Sequence, residues 1–200
     1  MLDKSIPYKN IIMRAERFDP GLAVRIPEGY TLKRYEKGDE AHWAQIETSV
    51  GEFDSEREAH AYFTSGYLCD LPALKRRCLF VLGPDGRYAG TCTAWRDRKG
   101  EDTVGSLHWL AVSPEWQGRG LGKLLIYQTL LLFRENDEFP VYLHTQTWSH
   151  KAILLYSHFG FRLLKSETFS NCKNDYEDAV EVLKGVLKPK DLQFLTDNAE

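Results

Sequence analysis

Three glycines within six residues separate a strand pattern from a helical pattern in the second half of the chain. The run is Gln117-Gly118-Arg119-Gly120-Leu121-Gly122, after the apolar segment Leu107 to Val112 and before the helical spacing of Lys123 to Phe133. Glycines allow the backbone to approach a ligand, and the first amides of a helix have no partner within it. A helix N-terminus also carries about half a positive charge. The order of strand, glycine turn and helix therefore predicts a backbone site for a phosphate-like anion.

Two common phosphate motifs do not fit this turn. A Walker A loop requires four residues between its glycines and a Ser or Thr after its lysine. Here three residues separate Gly118 from Gly122, and Leu124 follows Lys123. A dinucleotide-binding fingerprint would need a third glycine at Lys123. The absence of a magnesium ligand set beside the loop also disfavours a nucleotide hydrolase.

The turn matches a different pattern, QxxGxG, at Gln117, Gly120 and Gly122. This pattern resembles the coenzyme A pyrophosphate loop of the GNAT superfamily of N-acetyltransferases. A second segment, Ser149 to Phe161, is similar to the family motif NxxAxxLYxxxGF. Its matching positions are Ala152, Leu155, Tyr156, Gly160 and Phe161, with Ser149 where the family usually has Asn. The resemblance is best over residues 107–161 and extends more loosely back to about Tyr30.

The resemblance implies acetyl-CoA as acyl donor, no metal, and a set of cofactor contacts. The pantetheine arm would contact backbone groups of Leu110, Ala111 and Val112, and the Leu110 N–H would polarise the thioester carbonyl. Ser149 would add a weaker contact, because its side chain is shorter than that of Asn. The pyrophosphate would bind to Gln117, Gly118, Arg119, Gly120, Leu121, Gly122 and Lys123, with Arg119 and Lys123 adding mobile positive charge.

His108 is the candidate general base. Strand alternation places Ser106, His108, Leu110 and Val112 on one face, and Leu107, Trp109 and Ala111 on the other. An imidazole, with an ordinary pKa of about 6.5, can accept a proton from an alkylammonium group at neutral pH, directly or through water. The run His108 to Val112 resembles the strand of arylalkylamine N-acetyltransferases that carries a histidine base. The alternative, a strand histidine that only hydrogen-bonds a neighbour, has equal weight.

Tyr156 is the candidate general acid, because it stands at the position that the family uses for this role. A phenol, with an ordinary pKa of about 10, is suited to protonating a departing thiolate. Without the motif, a core tyrosine at helical spacing would be the better interpretation. His144, on the next strand, is interpreted as a satisfied polar residue rather than a proton relay.

The acceptor side, in this family, is formed largely by the first two helices and their loop. The acidic and aromatic residues there could hold a cationic amine with an apolar body. For each one, a solvated acidic face over an ordinary core is the better-supported alternative. These residues are Trp43, Glu47, Glu52, Phe53, Asp54, Tyr62 and Phe63.

Composition limits the class of protein. The 200 residues are 42% hydrophobic and 12% aromatic, which suffices for one sizeable core. A net charge of −3 argues against a sequence-independent nucleic-acid binder, and the basic cluster Lys75 to Arg77 is interpreted as a solvated helix end. No apolar stretch is long enough to span a bilayer, and the first residues lack a secretion signal, so a cytoplasmic protein is expected. The four cysteines lack close pairing, which suggests neither a zinc site nor disulfides.

Strand and helix patterns alternate along the chain. They predict an α/β fold of the α+β mixed type: a GNAT-like, mostly antiparallel twisted sheet flanked by helices. We expect a hairpin from Cys78 to Trp95, a polar connection from Arg96 to Asp102, and a helix over Glu56 to Tyr67 capped by Ser55. No convincing strand follows Phe161, so Ile11-Ile12 is expected to fill the sheet edge.

One domain with decorated ends is expected. Residues 1–29 form an N-terminal extension, residues 30–170 the acetyltransferase domain, and residues 171–200 a C-terminal helical tail. A helix from Asp175 to Leu187 would end at Lys188-Pro189.

The expected function is acetyl transfer from acetyl-CoA to a primary amine by direct attack in a ternary complex. The alternative is a catalytically silent acyl-CoA-binding or regulatory module, which the presence of a candidate base and acid disfavours. The partner is a small-molecule or peptide amine, with no nucleic acid or membrane involved. Whether the protein forms a homodimer stays open, as do the identity of the amine and the acyl-chain length.

Overall fold

Seven strands form one sheet in the computed structural model, which describes residues 2–200. The strands are β1 (Asn10–Ala15), β2 (Thr31–Arg34), β3 (Cys78–Leu82), β4 (Tyr88–Lys99), β5 (Asp102–Val112), β6 (Val141–Gln146) and β7 (Arg162–Leu163). Their order is β2-β3-β4-β5-β6-β1-β7. The pairs β2–β3, β3–β4, β1–β6 and β1–β7 are antiparallel, and β5–β6 is parallel. The predicted mixed, mostly antiparallel sheet is confirmed.

Seven α-helices accompany the sheet in the described residues. They are α1 (Glu40–Val50), α2 (Glu56–Tyr67), α3 (Leu71–Arg77), α4 (Leu121–Glu135), α5 (His150–His158), α6 (Tyr176–Lys184) and α7 (Pro189–Asp197). The predicted bounds of α2 are confirmed, and Ser55 caps it by accepting the Glu58 N–H at 3.3 Å. Lys75 to Arg77 form the last turn of α3, and Lys75 and Arg76 are exposed, as expected for a solvated helix end. The expectation is wrong for Arg77, which is 4% exposed and donates to the Ala94 carbonyl oxygen at 3.2 Å.

The described chain divides into two compact units. Unit 1 comprises residues 23–95 and 107–132, and unit 2 comprises residues 2–22, 96–106 and 133–200. Unit 1 therefore contains α1 to α3, β2, β3 and most of α4. Unit 2 contains β1, β6, β7 and α5 to α7.

The core of unit 1 is aromatic, because α1 and α2 place large rings against the β3–β4 hairpin. Trp43, Phe63, Tyr67 and Phe80 are almost fully buried in one cluster. The hairpin is confirmed, with Cys78 opposite Thr93. Burial of several rings is the dominant favourable contribution that a unit of this size can make to folding.

Glu47 is the exception within this core. It lies one turn after Trp43 on α1, is 1% exposed, and its Oε1 atom has no hydrogen-bond partner among the described residues. Burial, and secondarily the charge of Glu52, raises the pKa of the Glu47 carboxyl well above its ordinary value. The structure therefore favours the protonated carboxylic acid.

Strand β1 completes unit 2 and lies between two strands. It pairs with β6 from Asn10 opposite Gln146 to Ala15 opposite Val141, and with β7 through Met13 opposite Leu163. The prediction that Ile11-Ile12 joins the sheet is confirmed. The expectation that no strand follows Phe161 is wrong, because β7 follows it directly. With two residues, β7 is too short to leave an alternating pattern in the sequence.

The polar run Arg96 to Asp102 belongs to the sheet, so the expected connection is wrong. β4 continues to Lys99, β5 begins at Asp102, and Gly100 turns the chain with a φ of 62°. Charged strand residues are stable here because they find ionic partners, such as Glu167 for Lys99 at 2.5 Å. The polar composition of this run predicted a loop, because the sequence does not show which distant residues pair with its charges.

The C-terminal segment forms two helices rather than one. The first, α6, ends at Lys184 and contacts β1, and the second, α7, begins at Pro189 and contacts α5 and β7. The sequence predicts that Pro189 ends a helix. The fixed φ and the missing N–H of a proline also suit the first position of a helix, and Pro189 begins α7. Both helices pack on unit 2.

We expect Ile12→Ala to lower the free energy of unfolding by about 2–5 kcal/mol, because Ile12 is fully buried in β1. The matched control is Ile26→Ala, at a position that is 45% exposed, where the change should stay within about 0.5 kcal/mol. Denaturant unfolding measures both. Equal small effects would contradict the central place of β1.

We expect Glu47→Gln to stabilise the protein increasingly as the pH rises. The native carboxyl keeps its proton while the unfolded one ionises near its ordinary pKa of 4.5, so the wild type loses stability above that pH. The loss is about 1.4 kcal/mol per pH unit until the native group titrates. Unfolding from pH 5 to 8 should show the difference growing, whereas Glu181→Gln, at an exposed site, should give a flat difference. A pH-independent difference for Glu47→Gln would contradict the buried acid.

Candidate active site

The glycine turn lies between β5 and α4, as the sequence predicts. After Val112, a single 3-10 turn covers Pro114–Trp116, and α4 begins at Leu121. Gly118 and Gly120 have φ values of 78° and 79°, which side chains rarely adopt. A Cβ atom on either glycine would meet no other atom within 4 Å. Packing therefore does not explain these glycines, and the space above them is available to a ligand.

The first amides of α4 have no partners within the helix itself, as at any helix start. Gln117 stabilises the turn by donating its Nε2–H to the Val112 carbonyl oxygen at 2.8 Å. Leu121, Gly122 and Lys123 follow as the first helical residues, and Lys123 is exposed. Such an arrangement fits a pyrophosphate group.

Arg119 has several partners beside the turn. Its guanidinium donates to the Tyr30 hydroxyl at 3.1 Å and to the Glu115 carbonyl at 3.2 Å. It also lies over the Trp116 ring, 5.0 Å from the centroid. Both cations expected at the turn, Arg119 and Lys123, are exposed.

Strand β5 does not alternate regularly, so the predicted division of its faces is wrong at one point. Trp109 has a φ of 50°, in the left-handed region, where a bulky residue is strained. As a result, His108 and Trp109 both contact helices of the same layer. His108 contacts Tyr67 of α2, and Trp109 contacts Trp43 of α1. Periodicity alone does not reveal such an irregularity.

His108 is hydrogen-bonded to a residue that the sequence analysis did not single out. Its Nδ1 atom lies 2.9 Å from the hydroxyl of Tyr67. Tyr67 is the last residue of α2. It lies 41 residues before His108, so no local sequence pattern indicates that the two are paired. Leu110 and Val112 are half-buried on the same strand, and Ala111 is buried in the unit 1 cluster.

The expected acceptor residues separate into two groups. Trp43 and Phe63 are fully buried and belong to the core. Tyr62 is 41% exposed, and Phe53 and Trp109 are partly buried against the same cluster. The Trp109 ring lies 5.2 Å from Phe53 and 4.9 Å from Tyr62 between centroids. Glu47 is buried, so it is not part of a solvated acidic face, whereas Asp54 is exposed.

Tyr156 and Ser149 lie in unit 2, at the helix that the second motif predicts. Tyr156 is buried on α5 and packs edge-on to Phe161, with 5.9 Å between ring centroids. Ser149 occupies the N-cap position, and its side chain makes no capping hydrogen bond.

His144 is a satisfied polar residue, as interpreted from the sequence. Its Nε2 atom lies 2.8 Å from the Asn10 side-chain oxygen. Solvent reaches the ring, yet the surrounding protein desolvates it enough to lower the pKa of His144.

Residues 2–200 contain neither a candidate metal cluster nor a candidate membrane span. No group of three or more His, Cys, Asp or Glu side chains in this range is placed to hold a metal ion. Over the same residues, each helix is too short or too polar to cross a membrane. All four cysteines are free thiols.

Comparison with known proteins agrees with these features. A curated mycothiol acetyltransferase from Thermomonospora curvata is 27% identical over 139 residues, which are 69% of this chain but only 46% of that protein. The chain therefore spans about half the length of this relative.

Solved structures support the same fold. An N-acetyltransferase from Sphaerobacter thermophilus has a TM-score of 0.61 at 24% identity, over 78% of this chain and 49% of that one. An acetyltransferase from Trypanosoma brucei has a TM-score of 0.52 at 22% identity, over 70% of this chain and 96% of that one. At these identities the likeness bears on the fold alone.

The model of the acetyltransferase (GNAT) family matches residues 40–161, which is more than half of the chain. This range includes the glycine turn, His108 and Tyr156. The chain belongs to the GNAT family of acetyltransferases.

Proposed function

We propose that this protein transfers an acetyl group from acetyl-CoA to a primary amine by direct attack in a ternary complex. The observation that carries the proposal is the glycine turn at the start of α4. Gly118 and Gly120 have positive φ and open space above them, in a chain that belongs to an acetyltransferase family. A phosphate-bearing donor is the ligand that this geometry suits best.

The proposed contacts to the donor follow the family pattern. Backbone groups of Leu110, Ala111 and Val112 bind the pantetheine arm, and the Leu110 N–H donates to the thioester carbonyl oxygen. Residues 117–123 bind the pyrophosphate, and Ser149 adds a contact. The exposed charges of Arg119 and Lys123 both favour an anion at the turn.

The proposed chemistry has three steps. His108 accepts a proton from the substrate ammonium, directly or through water. The free amine then attacks the carbonyl carbon, and the C–N bond forms as negative charge develops on the oxygen. The C–S bond breaks, and Tyr156 protonates the departing thiolate of coenzyme A. The second amine proton passes from the nitrogen to the Tyr156 phenolate, directly or through water, so the products are a neutral amide and a free thiol. No step needs a metal ion.

The acceptor is proposed to be a small-molecule amine. The curated relative is a mycothiol acetyltransferase, which supports a small amine related to mycothiol as one class to test. The partly exposed rings of Tyr62, Phe53 and Trp109 support an acceptor with an apolar part. A screen should therefore contain both classes.

We expect acetyl-CoA and coenzyme A, but not ATP or NAD at equal concentration, to raise the melting temperature. A ligand at a hundred times its Kd stabilises the native state by about 2.7 kcal/mol, which raises the midpoint by roughly 5 to 10 °C. Gly120→Ala should lose this shift, because a side chain at positive φ distorts the turn. Gly86→Ala is the matched control: it also has positive φ and open space, but lies in the β3–β4 turn. An equal shift with ATP would overturn the assignment.

We expect Tyr156→Phe and His108→Gln each to lower kcat about 100- to 10,000-fold while the melting shift with acetyl-CoA is kept. Each variant removes a proton-transfer group and leaves the backbone contacts to the donor in place. Release of coenzyme A with an acceptor found in the amine screen measures the rate. Full binding of acetyl-CoA with no turnover for any amine would favour the catalytically silent module instead.

A further inference from the structure

We propose that Tyr67 is a positioning residue for His108, and that its hydroxyl accepts the Nδ1–H of the imidazole. This hydrogen bond selects the neutral tautomer whose Nε2 atom can accept the proton of the acceptor amine. This inference rests on the proposed function, in which His108 is the base. It assigns a role to a residue of α2 that no sequence motif indicates.

The contact is direct and short. The Tyr67 Oη atom and the His108 Nδ1 atom are 2.9 Å apart, an ordinary hydrogen-bond distance. The two rings are inclined by 61°, with 6.0 Å between their centroids. A ring bound through one nitrogen has the other nitrogen directed away from the contact, because the in-plane directions of the two nitrogens diverge widely.

Tyr67 can hold the imidazole because it is itself immobile. It is 1% exposed, at the last residue of α2. Its ring is 5.1 Å from Phe63 and 4.9 Å from Trp95 between centroids, and the Trp95 contact is edge-on. A hydroxyl on a ring packed from several sides has a fixed position, unlike a surface hydroxyl or a water molecule.

The backbone beside His108 is fixed by the same cluster. Trp109 adopts a left-handed conformation, which costs about 1–3 kcal/mol and persists only where packing determines it. The Trp109 ring contacts Trp43, and Trp43 in turn contacts Tyr67. The side chain and the backbone of the histidine are therefore positioned by one group of rings.

The direction of the hydrogen bond determines whether His108 can act. If Nδ1 carries the hydrogen and donates to Tyr67, the lone pair of Nε2 is available to accept a proton. After that transfer, Nδ1 still donates to the same oxygen, so neither ring has to turn. If Tyr67 donated instead, the neutral imidazole would carry its hydrogen on Nε2 and could not accept one there.

The test is Tyr67→Phe, with Tyr35→Phe as the matched control. Tyr35 is also buried in the unit 1 cluster and contacts Phe63, but its hydroxyl donates to Glu40 at 2.7 Å. Each variant thus loses a part-buried hydrogen bond of a phenol hydroxyl. NMR of the imidazole nitrogens in the full chain should show His108 with its hydrogen on Nδ1 in the wild type and in Tyr35→Phe, and a shift toward Nε2 in Tyr67→Phe.

Kinetics provide the second readout. Tyr67→Phe should lower kcat/KM for the amine about 10- to 100-fold without changing the melting shift with acetyl-CoA. In a His108→Gln background, Tyr67→Phe should have no further effect on kcat/KM, because a positioning residue acts only through the group that it positions. Tyr35→Phe should leave kcat/KM within about twofold in both backgrounds.

The outcomes separate this inference from the function on which it rests. A hydrogen on Nε2 in the wild type, or equal rate losses for Tyr67→Phe and Tyr35→Phe, overturns the positioning role even if His108→Gln is inactive. Full activity of His108→Gln overturns the proposed base, whatever the NMR shows. Loss of activity in Tyr67→Phe that persists undiminished in the His108→Gln background also overturns the inference, because Tyr67 would then act independently.

Discussion

The left-handed backbone of Trp109 is the constraint that places the candidate base against the helices of unit 1. A regular strand would direct His108 and Trp109 to opposite faces of the sheet. With a φ of 50°, both residues instead contact helices of one layer. The irregularity is stable because the Trp109 ring packs against Trp43, Phe53 and Tyr62. The strained residue and the aromatic cluster therefore require each other, and the candidate base is placed by their combination.

The glycine turn differs from Trp109, because its backbone conformation follows from the residue type and does not depend on packing. Gly118 and Gly120 make no close contact that a Cβ would disturb, so their conformation, and not their packing, explains their residue type. The surrounding side chains keep the turn in place, with Gln117 bonded to the end of β5 and Arg119 stacked on Trp116. A rigid frame around an open backbone site is what pre-organised anion binding requires.

Much of the fold followed from local sequence signals. The Ser55 cap, the Cys78 hairpin and the glycine turn were predictable because each depends on residues that are close in sequence. The short strand β7 and the charged extension of β4 were not, because their stability comes from distant partners such as Met13 and Glu167. The same holds for the site. The motifs indicated His108 and Tyr156, whereas Tyr67, the buried acid of Glu47 and the stacking of Arg119 depend on tertiary contacts.

The central place of β1 has a consequence for the order of folding. Its partners, β6 and β7, lie at residues 141–146 and 162–163, far along the chain from residues 10–15. During synthesis, the apolar side chains Ile11, Ile12 and Met13 therefore leave the ribosome long before the strands that cover them. High contact order of this kind slows folding and prolongs exposure of an unpaired, aggregation-prone strand. Closure of the sheet is thus a late event that awaits the last third of the protein.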